Sequence, residues 1–425
     1  MRQTASPTEA LHQIHTLPNG LTVLFDRVPH VRSASVGLWI KTGSAHETDD
    51  QQGITHLLEH LFFKGTKSRS ARQLVAEIEG KGGHLNAFTA RDSTCLYARV
   101  LDIHVETAVE ILADIIKNSQ FRDFDRERNV VLEEIASAED VPEDYAHDLF
   151  VLRLWPHHPL GRPITGSSDS VARLTPDDVR TYYSSRCVPE NMLLAVAGNF
   201  DEEAVLERIR REFEGPRRAP APDGLVSPHF GNGITTAQRD IGQCHLCFGF
   251  PGTRAGDGRH YATEMLASVL GGGSTSRLFD RIREQEGLAY SIYAFRSSYH
   301  LAGLVGVYAA VAPESLAPAL ELACEELNKL CESGVPEDEV GLNREQLRGS
   351  VLMALESTFN RMARMAKSMI YHGRILSIEE VLGVIEAVTA KDLQQLAQNA
   401  FTADRCAMAI LGPRNGYESI EVVPL

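Results

Sequence analysis

The chain has 425 residues, 43% of them hydrophobic and 23% charged, which is enough apolar material for a sizeable core shared among two or three domains. A net charge of −15 argues against nucleic acid or an anionic membrane surface as a partner, because both require clustered Lys and Arg. No run of about 18 apolar residues is present to span a membrane, the N-terminus has no apolar secretory core, and seven dispersed cysteines read as reduced thiols of a cytoplasmic protein.

The apolar run SASVGLWIKTGS at 33–44 reads as a strand. GITHLLEHLFFKGT at 53–66 reads as a helix, with Ile54, Leu57, Leu58, Leu61 and Phe62 at helical spacing. Within it His56-Leu57-Leu58-Glu59-His60 forms an HxxEH motif. Four apart on a helix, the two imidazoles share a face and can reach one ion, while Glu59 projects beside it and can take a proton from a metal-bound water. A tetrahedral catalytic ion needs a third protein ligand and one open position. FDRERNVVLEEIASAED at 124–140 is a helical, acidic segment that could supply it. Glu134 stands on the face of Glu127 two turns earlier, and Glu133 points about 100° away, but the pattern alone does not choose between Glu133 and Glu134.

Residues 214–233, rich in Pro and Gly, read as a linker between a domain at 1–213 and a domain at 234–425. The two sides resemble each other. Each has an apolar strand-like run followed by a helix, at 243–253 and 260–284 in the second half. LTPDDVRTYYSSRCVPENMLLAVAGN (174–199) parallels VTAKDLQQLAQNAFTADRCAMAILGP (388–413), with Thr175, Asp178 and Gly198 matching Thr389, Asp392 and Gly412 at a constant offset. The expected fold class is α+β, two homologous domains, each a mainly antiparallel sheet packed with several helices. Cys244 and Cys247 form a lone CxxC inside an apolar strand and read as buried thiols. Gly271-Gly272-Gly273 reads as a flexible gate or a helix end, and no GK[ST] follows to make it a phosphate loop.

The segments GITHLLEHLFFKGT, GGHLNAFTARDSTCLYARV (82–100), RERNVVLEEI (126–135) and REQEGLAYSIYA (283–294) resemble the pitrilysin family of zinc peptidases over nearly the whole chain. The resemblance implies Zn2+ held by His56, His60 and Glu134, with Glu59 as general base and Glu127 as a supporting acid. It implies that substrate adds as an extra strand along Leu85-Asn86-Ala87-Phe88-Thr89, and that Arg283 and Tyr290 hold the peptide near the scissile carbonyl. The activity implied is hydrolysis of peptides or unfolded chains inside a dimeric chamber. Both residue sets lie on one chain, which favours a homodimer over a heterodimer with a related chain. The rival reading is a non-catalytic scaffold of the same fold.

Overall fold

The computed structural model describes residues 12–220, 224–413 and 420. Residues 1–11 of the N-terminal segment and 221–223 of the linker lie outside the described residues. Alternating apolar runs form two separate sheets. The first contains β1 (Gln13–Thr16), β2 (Thr22–Arg27), β3 (Ser33–Ile40), β4 (His84–Thr89), β5 (Thr94–Leu101) and β6 (Met192–Gly198), in the order β1-β2-β6-β3-β5-β4. The second contains β7 (Gly233–Gln238), β8 (Cys244–Gly252), β9 (Ala289–Ser298), β10 (Gly303–Val311) and β11 (Ala407–Gly412), in the order β7-β11-β8-β10-β9. Neighbours are antiparallel except one parallel pair in each sheet, β2 with β6 and β7 with β11. Five strands of the first sheet are thus repeated in the second with the same order and directions, which is the duplication that the sequence offsets predict. Thr175 and Thr389 even cap their helices alike, each hydroxyl donating to Asp178 or Asp392 at 2.6 Å.

Packing divides the chain into two units. The first takes the described residues of Met1–Leu132, Ile164–Gly224 and Leu352–Leu376, and the second those of Glu133–Pro163, Leu225–Val351 and Ser377–Leu425. In the first unit, helix Val105–Asn118 packs on β3 and β5, and helix Thr358–His372 on β2, β3 and β6. Trp39, Cys95, Leu193 and Ala195 bury against Met362, Met365 and Ala366. Trp39 Nε1 lies 3.4 Å from Met362 Sδ. At the rim, buried Asp26 receives a two-pronged ion pair from Arg361, at 2.8 and 3.0 Å. The helix that completes the first unit therefore comes from late in the chain.

The second unit mirrors this arrangement. Helix Pro142–Leu154, which precedes the predicted linker, packs on β7, β8 and β11, with helices His260–Gly271 and Ala390–Ala400 also on this unit's strands. Part of the linker is ordered against it: Gly231 N donates to Leu154 O, and Phe230 meets Trp155 at 6.5 Å between ring centres. Cys244 and Cys247 are free and fully buried in β8, as expected of thiols in an apolar strand. Gly271 ends its helix so close to β9 that a Cβ would stand 2.2 Å from Ala294 N, while Gly273 faces open space. Among the described residues no helix is long and apolar enough to cross a membrane.

Candidate metal centre

Helix Ile54–Phe62 carries the HxxEH motif in the first unit. Ile54, Leu57, Leu58, Leu61 and Phe62 are buried, whereas His56, Glu59 and His60 share the partly open face at 15–17% side-chain exposure. Two features fix where this helix begins. Gly53 adopts the left-handed conformation at φ 86°, and a Cβ there would meet Thr165 O at 2.4 Å. Glu47, buried, accepts from the backbone N–H groups of Gly53 and Thr55, both at 2.9 Å, so a carboxylate from outside the helix caps its positive end. Thr55 Oγ1 also meets Tyr182 OH at 2.8 Å. Sequence reading missed Glu47, which lies in a connecting loop with no capping-box spacing.

The His56 and His60 rings stand 4.8 Å apart between centres. His56 Nδ1 lies 3.7 Å from Glu59 Oε2, and His60 Nδ1 lies 3.6 Å from Glu127 Oε2. Glu127 is buried and pairs with Lys64 Nζ at 2.9 Å. It sits early in helix Phe124–Asp140. The boundary between the packing units falls inside that helix, so its continuous backbone sets Glu134 two turns from Glu127. Of the two candidates, Glu133 is exposed and Glu134 half-buried. One ligand atom each from His56, His60 and Glu134 falls within 4.8 Å of the others. Tetrahedral ligands at metal bonds of about 2.1 Å sit about 3.4 Å apart, so modest side-chain rotation closes the set around an ion. Two neutral imidazoles and one carboxylate suit a borderline divalent ion and leave one position open.

Glu59 Oε2 also accepts from Thr89 Oγ1 at 2.5 Å. Burial alone would raise the Glu59 pKa, but hydrogen bonds with His56 and Thr89 and the nearby His56 and His60 charges outweigh it and hold the carboxyl below its ordinary value. Thr89 ends β4, the outer strand of the first sheet, whose far side has no strand partner among the described residues. Asn86 is exposed and Ala87 buried, with Phe88 half-buried beside Trp39. Ala87 N donates to the Asn86 side chain at 2.8 Å instead of to a neighbouring strand. The metal-type residues and this open edge are thus joined through Thr89 and Glu59.

Arg283 and Tyr290 belong to the second unit. Arg283 sits in a seven-residue π-helix, Phe279–Gln285, a form that recurs at functional sites. Its guanidinium lies over the Phe279 ring at 4.8 Å and its side chain is 43% exposed. Tyr290, near the start of the outer strand β9, is 76% exposed.

Comparison with known proteins identifies a family. Residues 22–168 match the family described as Insulinase (Peptidase family M16), and residues 173–347 match the Peptidase M16 inactive domain. An uncharacterized zinc protease of Streptomyces coelicolor is 39% identical over 94% of this chain and 89% of its own length. The uncharacterized zinc protease YmxG of Bacillus subtilis is 36% identical over 95% and 99%. Among solved structures, a protease from Helicobacter pylori superposes with a TM-score of 0.89 at 21% identity, over 95% of this chain and 99% of that one. A chain of complex III2 from Candida albicans does so with a TM-score of 0.84 at 18% identity, over 94% and 95%. The fold, the HxxEH helix and the relatives together place the chain in the insulinase family, peptidase family M16, the pitrilysin group that its motifs resemble.

Proposed function

We propose that the protein is a zinc metalloendopeptidase acting on peptides or unfolded polypeptides. The observation that carries this is the convergence of His56, His60 and Glu134, with Glu59 beside them and tied by Thr89 to an open strand edge. Zinc is the ion, since the relatives are named zinc proteases and the donor set suits it. His56, His60 and Glu134 would hold the ion, with the Glu59 and Glu127 carboxylates beside the two imidazoles at 3.7 and 3.6 Å. When bound, zinc supplies Lewis acidity toward the scissile carbonyl and toward water.

The chain's own groups do the rest. Substrate lies along the Asn86-Ala87-Phe88-Thr89 edge of β4 as an added strand, held by the outward-facing backbone groups of Ala87 and Thr89, which requires the Asn86 side chain to release Ala87 N. Thr89 holds Glu59 Oε2, leaving Oε1 to take the proton of the attacking water and pass it to the leaving amine. Glu127, with Lys64, fixes the His60 ring. The exposure of Arg283 and Tyr290 suits a role across a dimer, in which they hold substrate at the partner protomer's metal centre. The acidic balance favours basic peptides, and the setting is cytoplasmic.

A mixed peptide library incubated with wild type and with Glu59→Gln tests the reading by mass spectrometry. Cleavage that disappears in the variant while zinc is retained supports it, and equal cleavage by both removes Glu59 from the mechanism. The second reading is a non-catalytic subunit of the same fold. A protein that purifies without stoichiometric zinc and cleaves nothing would establish that alternative.

A further inference from the structure

Because the second sheet repeats the first, strand register fixes which residues are equivalent. With Gly198 set on Gly412, Ala195 falls on Ala409; their β3 and β8 partners Gly37 and Cys247 then match, and through these Tyr97 falls on Tyr308 and Asn86 on Tyr293. Along the outer strands Asn86-Ala87-Phe88-Thr89 therefore falls on Tyr293-Ala294-Phe295-Arg296. Thr89 pairs with Thr94 as Arg296 pairs with Val305. In the first unit Thr89 reaches Glu59 on the HxxEH helix. In the second Arg296 reaches Glu264 on helix His260–Gly271, Nη2 to Oε2 at 2.5 Å, with Nη1 3.4 Å from His260 Nε2.

Glu264 thus stands where Glu59 stands, which puts Tyr261 in the place of His56 and Met265 in that of His60. His56 and Glu59, like Tyr261 and Glu264, are half-buried positions separated by two buried ones, while Met265 is fully buried where His60 is half-buried. The acidic helix has its counterpart as well. Helix Glu337–Ala354 carries Glu339 and, seven residues on, Gln346, matching Glu127 and Glu134. Glu339 pairs with Arg277 at 2.6 Å as Glu127 pairs with Lys64. Gln346 Oε1 lies 3.5 Å from Ser268 Oγ, which is on the helix face of Tyr261 and Met265.

Each of the metal-type side chains His56, His60 and Glu134 is therefore matched here by a neutral group of poor affinity for a hard or borderline ion, namely a phenol, a thioether and an amide. The carboxylate of the base is kept, partly buried at 30% side-chain exposure, and still requires a cation. We propose that the second unit holds the counterpart of the metal centre, with the Arg296 guanidinium in place of the divalent ion, binding the outer strand β9 to helix His260–Gly271. This rests on the reading of His56, His60 and Glu134 as metal ligands. Among the described residues no second group of metal-type side chains converges, consistent with one ion per chain.

Two measurements on the full chain test it. In the first, zinc content is compared between wild type and the Tyr261→His, Met265→His, Arg296→Thr, Gln346→Glu variant. One more ion per chain in the variant supports the proposal, and equal content in a variant with a wild-type circular dichroism spectrum overturns it. The difference between the two proteins carries the result, so a wild type without zinc would sink the first-unit reading separately. The second is a thermal cycle in EDTA, needing no metal. Arg296→Met should lower the melting temperature by about 2 °C, and adding Glu264→Gln should restore most of that loss. Additive losses would mean that the guanidinium is no substitute cation for Glu264.

Discussion

Replacing Glu47 with alanine should loosen the first unit by about 4 kcal/mol and weaken its hold on zinc. Glu47 is 4% exposed and accepts two first-turn N–H groups at 2.9 Å. Alanine leaves both donors without that acceptor, at about 1–3 kcal/mol each, and removes a negative charge from the helix N-terminus, about 0.5 kcal/mol more. Glu47→Gln keeps one acceptor oxygen but loses the charge, and should cost about 1–2 kcal/mol. The two tryptophans allow the first unit to be read alone. Trp39 lies in it and Trp155 in the second, so a Trp155→Phe background leaves Trp39 as the fluorescent reporter. Urea unfolding of the EDTA-treated protein gives the free energies, and competition with a chelator gives the zinc affinity. Stability should fall in the order wild type, Gln, Ala, with affinity following. A Glu47→Ala protein within about 1 kcal/mol of wild type would refute the capping argument.

Four further outcomes are expected. EDTA should abolish peptide cleavage and stoichiometric zinc should restore it, with Glu59→Gln binding the ion normally while losing at least about 100-fold in kcat. If two protomers share each site, mixing inactive Glu59→Gln and Arg283→Ala proteins should recover about a quarter of wild-type activity through exchanged dimers, and no recovery would place both sets within one protomer. Arg361→Met should cost about 3 kcal/mol in urea unfolding, because it strands the buried Asp26 carboxylate; His12 Nε2, 3.9 Å away, offsets part of the loss. Asp114 sets an acid limit in the first unit. Burial would raise its pKa, but hydrogen bonds from Asn118, Thr66, Arg69 and Ser68 outweigh this and hold it below the usual aspartate value. A depressed folded pKa contributes stability above about pH 4 and loses it as pH falls through the folded value, so Asp114→Asn should flatten stability against pH below about 4.

What the sequence discloses and what it hides follow from the range of the forces involved. His56, Glu59 and His60 are legible because helical geometry alone puts residues four apart on one face. Glu133 and Glu134 are ambiguous because neighbours on a helix differ only in what they face, and facing is tertiary: Glu134 turns inward to the histidines while Glu133 is exposed. Thr89 as the partner of Glu59 depends on β4 lying beside the HxxEH helix, a contact between residues 30 apart. The duplication is legible through helix caps and glycines, since those are local requirements, and strand order then bears it out. Gly271 had two readings, and its close approach to Ala294 shows the part it plays as a helix end. Helix Thr358–His372 shows its apolar stripe in its sequence, but nothing in that stripe says which sheet it will cover.

That last helix sets a timetable for synthesis. The first sheet is complete in sequence once Gly198 has been made, yet the helix that covers Trp39, Leu193 and Ala195 ends at His372. At translation rates of about 5–20 residues per second, the intervening residues take roughly 10–35 s. Throughout that interval the nascent chain displays an uncovered apolar sheet face outside the ribosome. Helix Pro142–Leu154 waits in the same way for β8 and β11. Neither unit can close early, so cutting the linker after folding would leave two fragments still joined through each other's cores.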